Sequence, residues 1–399
     1  MRVHKRRPAA LGAAVAIAIA AAGCGSASSS SSTASATSSS APAAAGTTAS
    51  TSSTTSVAAA TPIGVALTYN NTAFWAAYIN YESQYAKQLH IKLLGPLLAG
   101  TNASLQNTQV EDLVNEGAKA VIVNPETATS LGPAISYAAQ HGVKLISVDT
   151  IVGVGKVYMV VRASNLDYGE DACLYISHFV KSGYVVDIEG DLTSSNGADR
   201  TNAFNQCMKE NDPAVKVLAD PTVWVAATAA TDTETAVNAH GSQIKAIYDQ
   251  YSGPDPAAIA LLGSKHLTKS TIVIGDDGVP YEMCDIQRGD LSAASSQPAN
   301  LYAQGALTYA LDSAKGMALK VGSPAIGAPS LQDVSYKGDV NLGDPIVAPF
   351  VTKTALGLTG KGVPGAPGTV TTTPVTDANL WGNVYGAAHG GDCAGVAQP

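Results

Sequence analysis

Charged residues are scarce in this chain of 399 residues. Asp, Glu, Lys and Arg make up 14% of it, and the formal net charge is −8, whereas charged residues form about a quarter of an ordinary soluble domain. No run of like charges occurs after residue 23. Because a surface that binds nucleic acid or anionic lipid needs clustered Lys and Arg, the sequence excludes a nucleic-acid partner and a polybasic membrane-surface protein.

Common motifs of catalysis and metal binding are missing as well. The sequence contains no G-x-S-x-G, H-E-x-x-H or G-x-x-x-x-G-K-[ST] pattern and no C-x-x-C pair, which are arrangements used by hydrolases, zinc sites and nucleotide-binding loops. The seven His residues are scattered without the spacing of metal ligands. We therefore expect no catalytic residue, no metal and no cofactor.

The chain begins with the features of an export signal. Four basic residues within the first seven positions precede an apolar run over Ala9–Ala22, which is too short to span a bilayer but typical of a secretory signal. The run ends in Ala21-Ala22-Gly23-Cys24, which resembles the lipobox of bacterial lipoproteins and implies cleavage after residue 23 and lipidation of Cys24. An ordinary signal peptide with an incidental Cys24 is the alternative.

Residues 24–60 are predicted to be a lipidated Cys followed by a disordered tether. Positions 25–60 hold 14 Ser, 7 Thr and 11 Ala with no charged or aromatic residue, so the segment buries too little apolar surface to offset its ordering entropy. Removal of residues 1–23 takes away four basic residues and no acidic one, which leaves 19 Lys and Arg against 31 Asp and Glu and a net charge of −12. The anchor and tether place the rest, from about Thr61, on the outer face of a bacterial cell membrane.

Four cysteines remain beyond Cys24, namely Cys173, Cys207, Cys284 and Cys393. An even number in an oxidising compartment favours disulfides, for which three connectivities exist. The pairing Cys173–Cys207 with Cys284–Cys393 is preferred, since each pair would join neighbouring elements or tie down the C-terminal tail. Free buried thiols are the alternative.

The remaining chain alternates between short apolar strands and helices that stop at glycine. Ala120–Val123 is apolar throughout, and the helix predicted over Ser104–Glu116 stops at Gly117. Such strands and helices are typical of βαβ units around a buried parallel sheet. The pattern runs over residues 63–148 and restarts near Tyr168, so we expect an α/β fold of two doubly wound parallel-sheet lobes.

Polar and aromatic residues follow several of the predicted strands, and ligands of doubly wound folds bind at the carboxyl ends of strands. Carboxylates accept hydrogen bonds from pairs of hydroxyls, and aromatic rings cover the C–H face of a sugar. The pattern therefore favours a neutral polyhydroxylated ligand, although any single Asp is equally well explained as a helix cap or turn residue. These positions are Asn71, Phe74, Trp75, Asp149, Asp249, Asp276 and Asp277.

The order of these landmarks resembles the type I periplasmic binding proteins, specifically the ribose-type sugar-binding branch of ABC importers, over residues 62–353. Residues 70–75, Asn-Asn-Thr-Ala-Phe-Trp, are similar to the family's Asn-Asn-Pro-Phe-Phe segment. Val148-Asp149 and the Gly-Asp-Asp-Gly of residues 275–278 match stretches that carry ligand-binding Asp residues. Arg200 and Gln297 stand where the family has a ligand-binding Arg and a hinge-proximal Gln.

The resemblance implies two lobes that close on a sugar, joined by a multi-strand hinge, in a monomer that delivers its ligand to an ABC permease. Residues 61–163 plus 298–325 would form the N-terminal lobe and 164–297 plus 326–355 the C-terminal lobe, with hinges near 162–167, near 297–301 and before 346–351. Residues 356–399 have no counterpart and are expected to be a structural extension. The implied ligand-binding residues are Asn71, Phe74, Trp75, Asp149, Arg200, Trp224, Asp249, Gln250, Asp277 and Gln297.

Three departures from the family pattern argue against ribose itself. Thr150 replaces an Arg of ribose-type members, residues 249–251 are Asp-Gln-Tyr in place of an Asn-Asp pair, and Asp276 replaces an apolar residue. Another pentose, a hexose, a polyol or a different small polar solute is therefore open. The competing hypotheses are a same-fold receptor for an amino acid or nucleoside, a sensory ligand-binding module, and a hydrolase that uses Asp149 and Asp277 as a carboxylate pair.

Overall fold

The computed structural model describes residues 59–318 and, further along, 324–325, 328–336, 340–346, 350–352, 372–376, 378, 380–389 and 393. The predicted signal, Cys24 and the tether up to residue 58 lie outside these described residues. Among the described residues, no helix has the length and apolar character needed to cross a bilayer. Two sheets, each covered by helices, organise this part of the chain.

The first sheet has a core of five parallel strands in the order 2-1-3-4-5, which is an order of doubly wound folds. A further parallel strand and two antiparallel strands extend it at one edge. The strands are β1 (Thr61–Leu67), β2 (Ile91–Leu98), β3 (Ala120–Val123), β4 (Lys144–Val148), β5 (Met159–Ala163), β11 (Pro324–Ala325), β12 (Ala328–Tyr336) and β13 (Val340–Ile346).

Helices cover both faces of the first sheet, which explains why its strands read as continuous apolar runs. Ile63, Val65 and Leu67 of β1 pack in one cluster with α1 (Ala73–Gln88) and α9 (Ala299–Ala314). Ala66 of the same strand points to the opposite face, toward α2 (Ala103–Asn115) and α3 (Gly132–Gln140).

The second sheet repeats this plan with five parallel strands, and two short strands extend one edge. Its strands are β6 (Gly183–Glu189), β7 (Val215–Pro221), β8 (Ile244–Asp249), β9 (Ile272–Asp277), β10 (Ala293–Ser296), β14 (Phe350–Thr352) and β15 (Thr372–Pro374). Helices α4 (Asn165–Phe179) and α5 (Ser195–Asn211) cover one face, and α6 (Ala226–His240), α7 (Asp255–Ser264) and α8 (Pro280–Arg288) the other. A last helix, α10 (Trp381–Ala388), contacts α8. The prediction of two doubly wound lobes is confirmed.

The described elements pass from one sheet to the other three times, from β5 to α4, from β10 to α9 and from β13 to β14. The first two crossings fall at the hinge segments predicted near 162–167 and near 297–301, whereas the third lies between residues 346 and 350 rather than before 346–351. The assignment of all of residues 326–355 to the second lobe is wrong, because β12 and β13 pair with each other and β13 pairs with β5 of the first sheet. Only β14 of that range joins the second sheet.

The structure pairs Cys173 with Cys207 and Cys284 with Cys393, which is the connectivity preferred from the sequence. The paired Cα atoms lie 6.0 and 5.0 Å apart, within the usual range for a disulfide. The first pair joins α4 to α5, and the second joins α8 to the C-terminal extension.

Candidate ligand-binding site

The first-lobe wall of the site is the beginning of α1. Thr72 caps this helix, its hydroxyl oxygen accepting from the Trp75 amide at 3.1 Å, and such a cap fixes where the helix begins. Phe74 and Trp75 follow in the first turn, with ring centroids 5.1 Å apart and planes at 83°. Both are nearly buried, so that only a small part of each ring faces the space between the lobes.

Asp149, directly after β4, is held in a fixed orientation by residues outside its own lobe. Its backbone has a left-handed φ of 70°, which is rare for a residue with a side chain and is often found at functional sites. Oδ2 accepts from Asn196 of α5 at 2.7 Å and Oδ1 accepts from Gln297 at 3.0 Å. Burial raises the pKa of Asp149 to about 6, although the cations Arg200 and Arg162 lower it in part.

Arg200 of α5 is buried, and its guanidinium is hydrogen-bonded to several protein oxygens. Its Nε donates to Asn165 Oδ1 at 2.6 Å, Nη1 donates to the carbonyl of Gln250, and Nη2 donates to Gln297 Oε1 at 2.6 Å. Nη1 also lies 3.6 Å from Asp276 Oδ2. Each of its three nitrogens is therefore engaged inside the protein, and Gln297 links Arg200 to Asp149.

Asp277, the last residue of β9, presents the second carboxylate. It also has positive φ, at 114°, and its Oδ2 accepts from both the amide and the hydroxyl of Ser252, at 3.0 and 2.6 Å. Burial raises its pKa, against the opposing attraction of Arg200. The neighbouring Asp276 turns away, its Oδ2 accepting from Tyr248 at 2.8 Å.

Trp224, in the turn after β7, supplies an aromatic face from the second lobe. Val223 and Trp224 have positive φ values of 46° and 62°, so the turn holds this ring in a strained backbone conformation. The ring meets Tyr251 edge-on at 5.3 Å and lies 5.8 Å from the Arg200 guanidinium. A Cβ on Gly190 would overlap this ring. The Trp224 ring can therefore occupy this position only because residue 190 has no side chain.

These side chains enclose a cavity of about 70 Å³ between the lobes, several times the space that one water molecule needs. Eight of the ten predicted residues line it: Asn71, Phe74, Trp75, Asp149, Arg200, Trp224, Asp277 and Gln297. The lining also includes Tyr69, Thr72, Asn124, Pro125, Glu126, Thr150, Ser194, Asn196 and Tyr251.

Asp249 and Gln250 do not line this cavity, which corrects their prediction as ligand contacts. The carboxyl of Asp249 is fully buried beside that of Asp255, where desolvation raises its pKa to about 7. The Gln250 amide donates to Asp187 and Thr201, both at 2.9 Å. Gln250 supports the site indirectly: its backbone carbonyl accepts from Arg200, and its side-chain oxygen accepts from the amide of Gly190 at 3.2 Å.

Glu126 is the most consequential lining residue that the sequence analysis missed. Its Oε1 accepts from the hydroxyl of Tyr69 at 3.1 Å, while Oε2 is buried without a hydrogen-bond partner in the described residues. Burial raises the pKa of Glu126. It lies just past Asn124-Pro125 at a strand end, so the strand-end reasoning would have found it if applied there.

The lobes touch around the cavity, so the structure has the closed form of the cleft. Besides the bond from Asn196 to Asp149, the Ile151 amide donates to Ser195 Oγ at 2.8 Å. Arg162 at the end of β5 pairs with Asp199 of α5 at 3.0 Å. All of these bonds join α5 of the second lobe to the first lobe, either to the segment just after β4 or to the end of β5.

Two parallel-sheet lobes with a polar and aromatic cavity between them define a solute-binding protein of the two-lobed type. A family model described as a periplasmic binding protein domain matches residues 63–318. The chain belongs to this family.

The relatives named below are binding proteins. The chain is 26% identical over 261 residues to the xylitol-binding protein of Mycolicibacterium smegmatis, covering 65% of this chain and 73% of that protein. It is also 26% identical over 241 residues to the ribose import binding protein of Bacillus subtilis, covering 60% and 77%. Among solved structures, the Caulobacter myo-inositol binding protein bound to myo-inositol has a TM-score of 0.63 at 22% identity, covering 75% of this chain and 96% of that chain. The structural likeness supports the fold.

Proposed function

We propose that this protein captures a small neutral sugar or polyol between its lobes and delivers it to an ABC importer. The observation that carries this is the convergence of two carboxylates, Asp149 from the first lobe and Asp277 from the second, on one small cavity. Phe74 and Trp75 on one side and Trp224 on the other would cover the apolar faces of the ligand. The names of the xylitol- and ribose-binding relatives support the same ligand class.

The hydrogen-bonding character of the cavity favours a ligand rich in hydroxyl donors. Asp149, Asp277 and Glu126 contribute carboxylate oxygens, which are acceptors. Arg200 is the Arg that the described residues contribute to the lining, and each of its three nitrogens donates to a protein oxygen. Those bonds occupy three of the five N–H groups of Arg200, and Asp276 Oδ2 lies 3.6 Å from Nη1, so this guanidinium offers few donors to an amino acid carboxylate. The arrangement therefore favours a polyol over an amino acid.

Ligand binding would act by favouring the closed form. The bonds from Asn196 to Asp149 and from the Ile151 amide to Ser195 Oγ need the lobes together. A ligand that touches both lobes binds the closed form better than the open one and so shifts the population toward it. The closed protein would then present both lobes to the permease.

The location follows from the N-terminal segment and remains part of the proposal. Cys24 would carry a lipid that anchors the mature protein to the outer face of the membrane, with residues 25–60 as the tether. In that oxidising setting the pairs Cys173–Cys207 and Cys284–Cys393 would be disulfides. We propose a monomer that binds without catalysis, in which both carboxylates are oriented by protein donors, Asp149 by Asn196 and Gln297 and Asp277 by Ser252.

A thermal-shift panel on the exported protein tests the proposal. We expect xylitol, ribose, allose or myo-inositol to raise the melting temperature, because a ligand at 100 times its Kd stabilises the folded state by about 2.7 kcal/mol. The variants Asp149→Asn and Asp277→Asn should lose most of the shift, whereas Asp290→Asn, which lies just after α8 and pairs with Arg288 at the surface, should retain it. Stabilisation by amino acids or nucleosides, with none by any polyol or sugar, would overturn the ligand class.

A further inference from the structure

The C-terminal helix α10 contacts the back of the ligand cavity through Trp381. The indole Nε1 of Trp381 donates to the backbone carbonyl of Asp277 at 2.9 Å. The same ring meets Phe74 edge-on, with centroids 6.2 Å apart and planes at 84°. Trp381 is 1% exposed. It therefore joins, from behind, one cavity residue of each lobe.

The extension that carries Trp381 is built into the second lobe. β15 pairs with β14 in the second sheet, and Val375 and Leu380 pack in the core that lies under α6, α7 and α8. Gly382 approaches the Gly278 carbonyl so closely that a Cβ there would overlap it. The pair Cys284–Cys393 adds a covalent link on the far side of α10. If the lobes separate, α10 moves with the second lobe.

The other side of α10 touches the first lobe. Tyr385, half-buried, lies with its ring 5.5 Å from Tyr81 of α1, and Trp381 lies against Phe74 of the same helix. These rings belong to the apolar cluster that also holds α1 and α9. Val384, between them on α10, is 44% exposed and faces away.

We propose that α10 is an interlobe strap that stabilises the closed cleft, with Trp381 as a positioning residue for Phe74 and Asp277. Opening would separate Trp381 from Phe74 and Tyr385 from Tyr81, exposing apolar surface that is buried when closed. A ligand that needs the closed form then binds more tightly, because less of its binding energy is used to close the lobes. This inference rests on the proposed function only where its test measures the Kd of a polyol.

Two variants and a matched control test the strap. Tyr385→Ala removes a first-lobe contact, Trp381→Phe keeps a ring but loses the N–H, and Val384→Ala changes an exposed neighbour. In calorimetry with the polyol that binds the wild type, we expect the Kd to rise about three- to tenfold for the first two variants, the factor for one lost aromatic contact or hydrogen bond. The Kd of Val384→Ala should stay at the wild-type value.

A positioning role is separated from a merely structural one by comparing Kd with melting temperature. The strap predicts a weaker Kd for Tyr385→Ala even though its ligand-free melting temperature stays near that of Val384→Ala, since Tyr385 is only half-buried. If Trp381→Phe fails to fold, the Kd of Tyr385→Ala still tests whether α10 stabilises the closed cleft. Equal Kd values for Tyr385→Ala and the wild type would overturn the strap.

Small-angle scattering of the ligand-free variants, which measures the radius of gyration, tests the strap independently of the proposed ligand class. We expect ligand-free Tyr385→Ala to have a larger radius of gyration than Val384→Ala, because fewer molecules are closed. If no polyol or sugar binds the wild type, the proposed ligand class fails while this comparison still tests the strap. Identical radii for the two variants would contradict the strap whatever the ligand is.

Discussion

The buried guanidinium of Arg200 is expected to stabilise the second lobe, and Arg200→Met tests this. Arg200 is 2% exposed and Asp276 is fully buried, with Nη1 and Oδ2 3.6 Å apart. Met keeps much of the side-chain volume but leaves Asp276 without its cation and Gln297 and Asn165 without a donor. Breaking a buried ion pair by removing one partner costs about 3–5 kcal/mol, so we expect the free energy of unfolding to fall by that amount.

Protonation of Asp276 limits this loss and gives it a pH dependence. Burial raises the pKa of Asp276 to about 7 even though Arg200 lowers it in part; without Arg200 the pKa rises further. At pH 6 the Asp276 carboxyl is mostly protonated in both proteins. At pH 8 it is ionised and paired with Arg200 in the wild type, whereas in the variant it either stays protonated or carries a charge without a partner. The loss should therefore be larger at pH 8 than at pH 6.

Urea unfolding followed by circular dichroism, without ligand, measures the effect. The matched control is Arg162→Met, because Arg162 is equally buried but its partner Asp199 reaches solvent, with 31% of its side chain exposed. We expect this control to cost less than half as much, and Asp276→Asn added to Arg200→Met to recover part of the loss. The reasoning is refuted if both Arg variants cost the same, or if Asp276→Asn lowers the stability of Arg200→Met further.

Two further predictions follow from single features of the structure. Burial raises the pKa of Glu82 to about 8 and that of Asp276 to about 7, so the folded chain binds more protons than the unfolded chain between pH 8 and about 4.5. The free energy of unfolding should therefore rise as the pH falls through this range. Urea titrations in which the free energy of unfolding falls instead would contradict this. Gly190→Ala should displace the Trp224 ring and weaken ligand binding about five- to 160-fold, the cost of overpacking being about 1–3 kcal/mol. Calorimetry with unchanged affinity would contradict this, and Gly263→Ala, where an added Cβ meets no atom within 4 Å, is the control.

The fold was predictable where apolar runs were long enough to identify a strand or helix. β3 has the predicted bounds, Ala120–Val123, because four consecutive apolar residues are buried on both faces. In contrast, α6 over Ala226–His240 was missed, since its Ala- and Thr-rich sequence buries only Ala229, Thr233, Ala236 and Val237. β10, with the sequence Ala-Ala-Ser-Ser, is too small and polar to be recognised from its residues alone.

The site was predictable to the extent that strand ends converge. Asp149 follows β4 of the first sheet, Asp277 ends β9 of the second sheet, and both line one cavity. Asp249 also ends a strand, but Tyr248 pairs with Ile274, so Asp249 lies two residues short of the level of Asp277 and its carboxyl lies beside Asp255 instead. The role of Trp381 had no sequence signal, because it depends on how residues distant in the chain pack around α1 and α8.

Calorimetric titration of the wild-type protein with xylitol, ribose and myo-inositol, repeated with Asp149→Asn and Asp277→Asn, tests the central claim most directly. The account predicts that at least one of these ligands binds the wild type with one site per chain. Each single variant should weaken that binding by about tenfold or more, because one carboxylate from each lobe contacts the ligand and bonds to charged groups contribute about 1.5–3 kcal/mol. Undiminished binding by both variants, or binding of none of the three ligands, would contradict it.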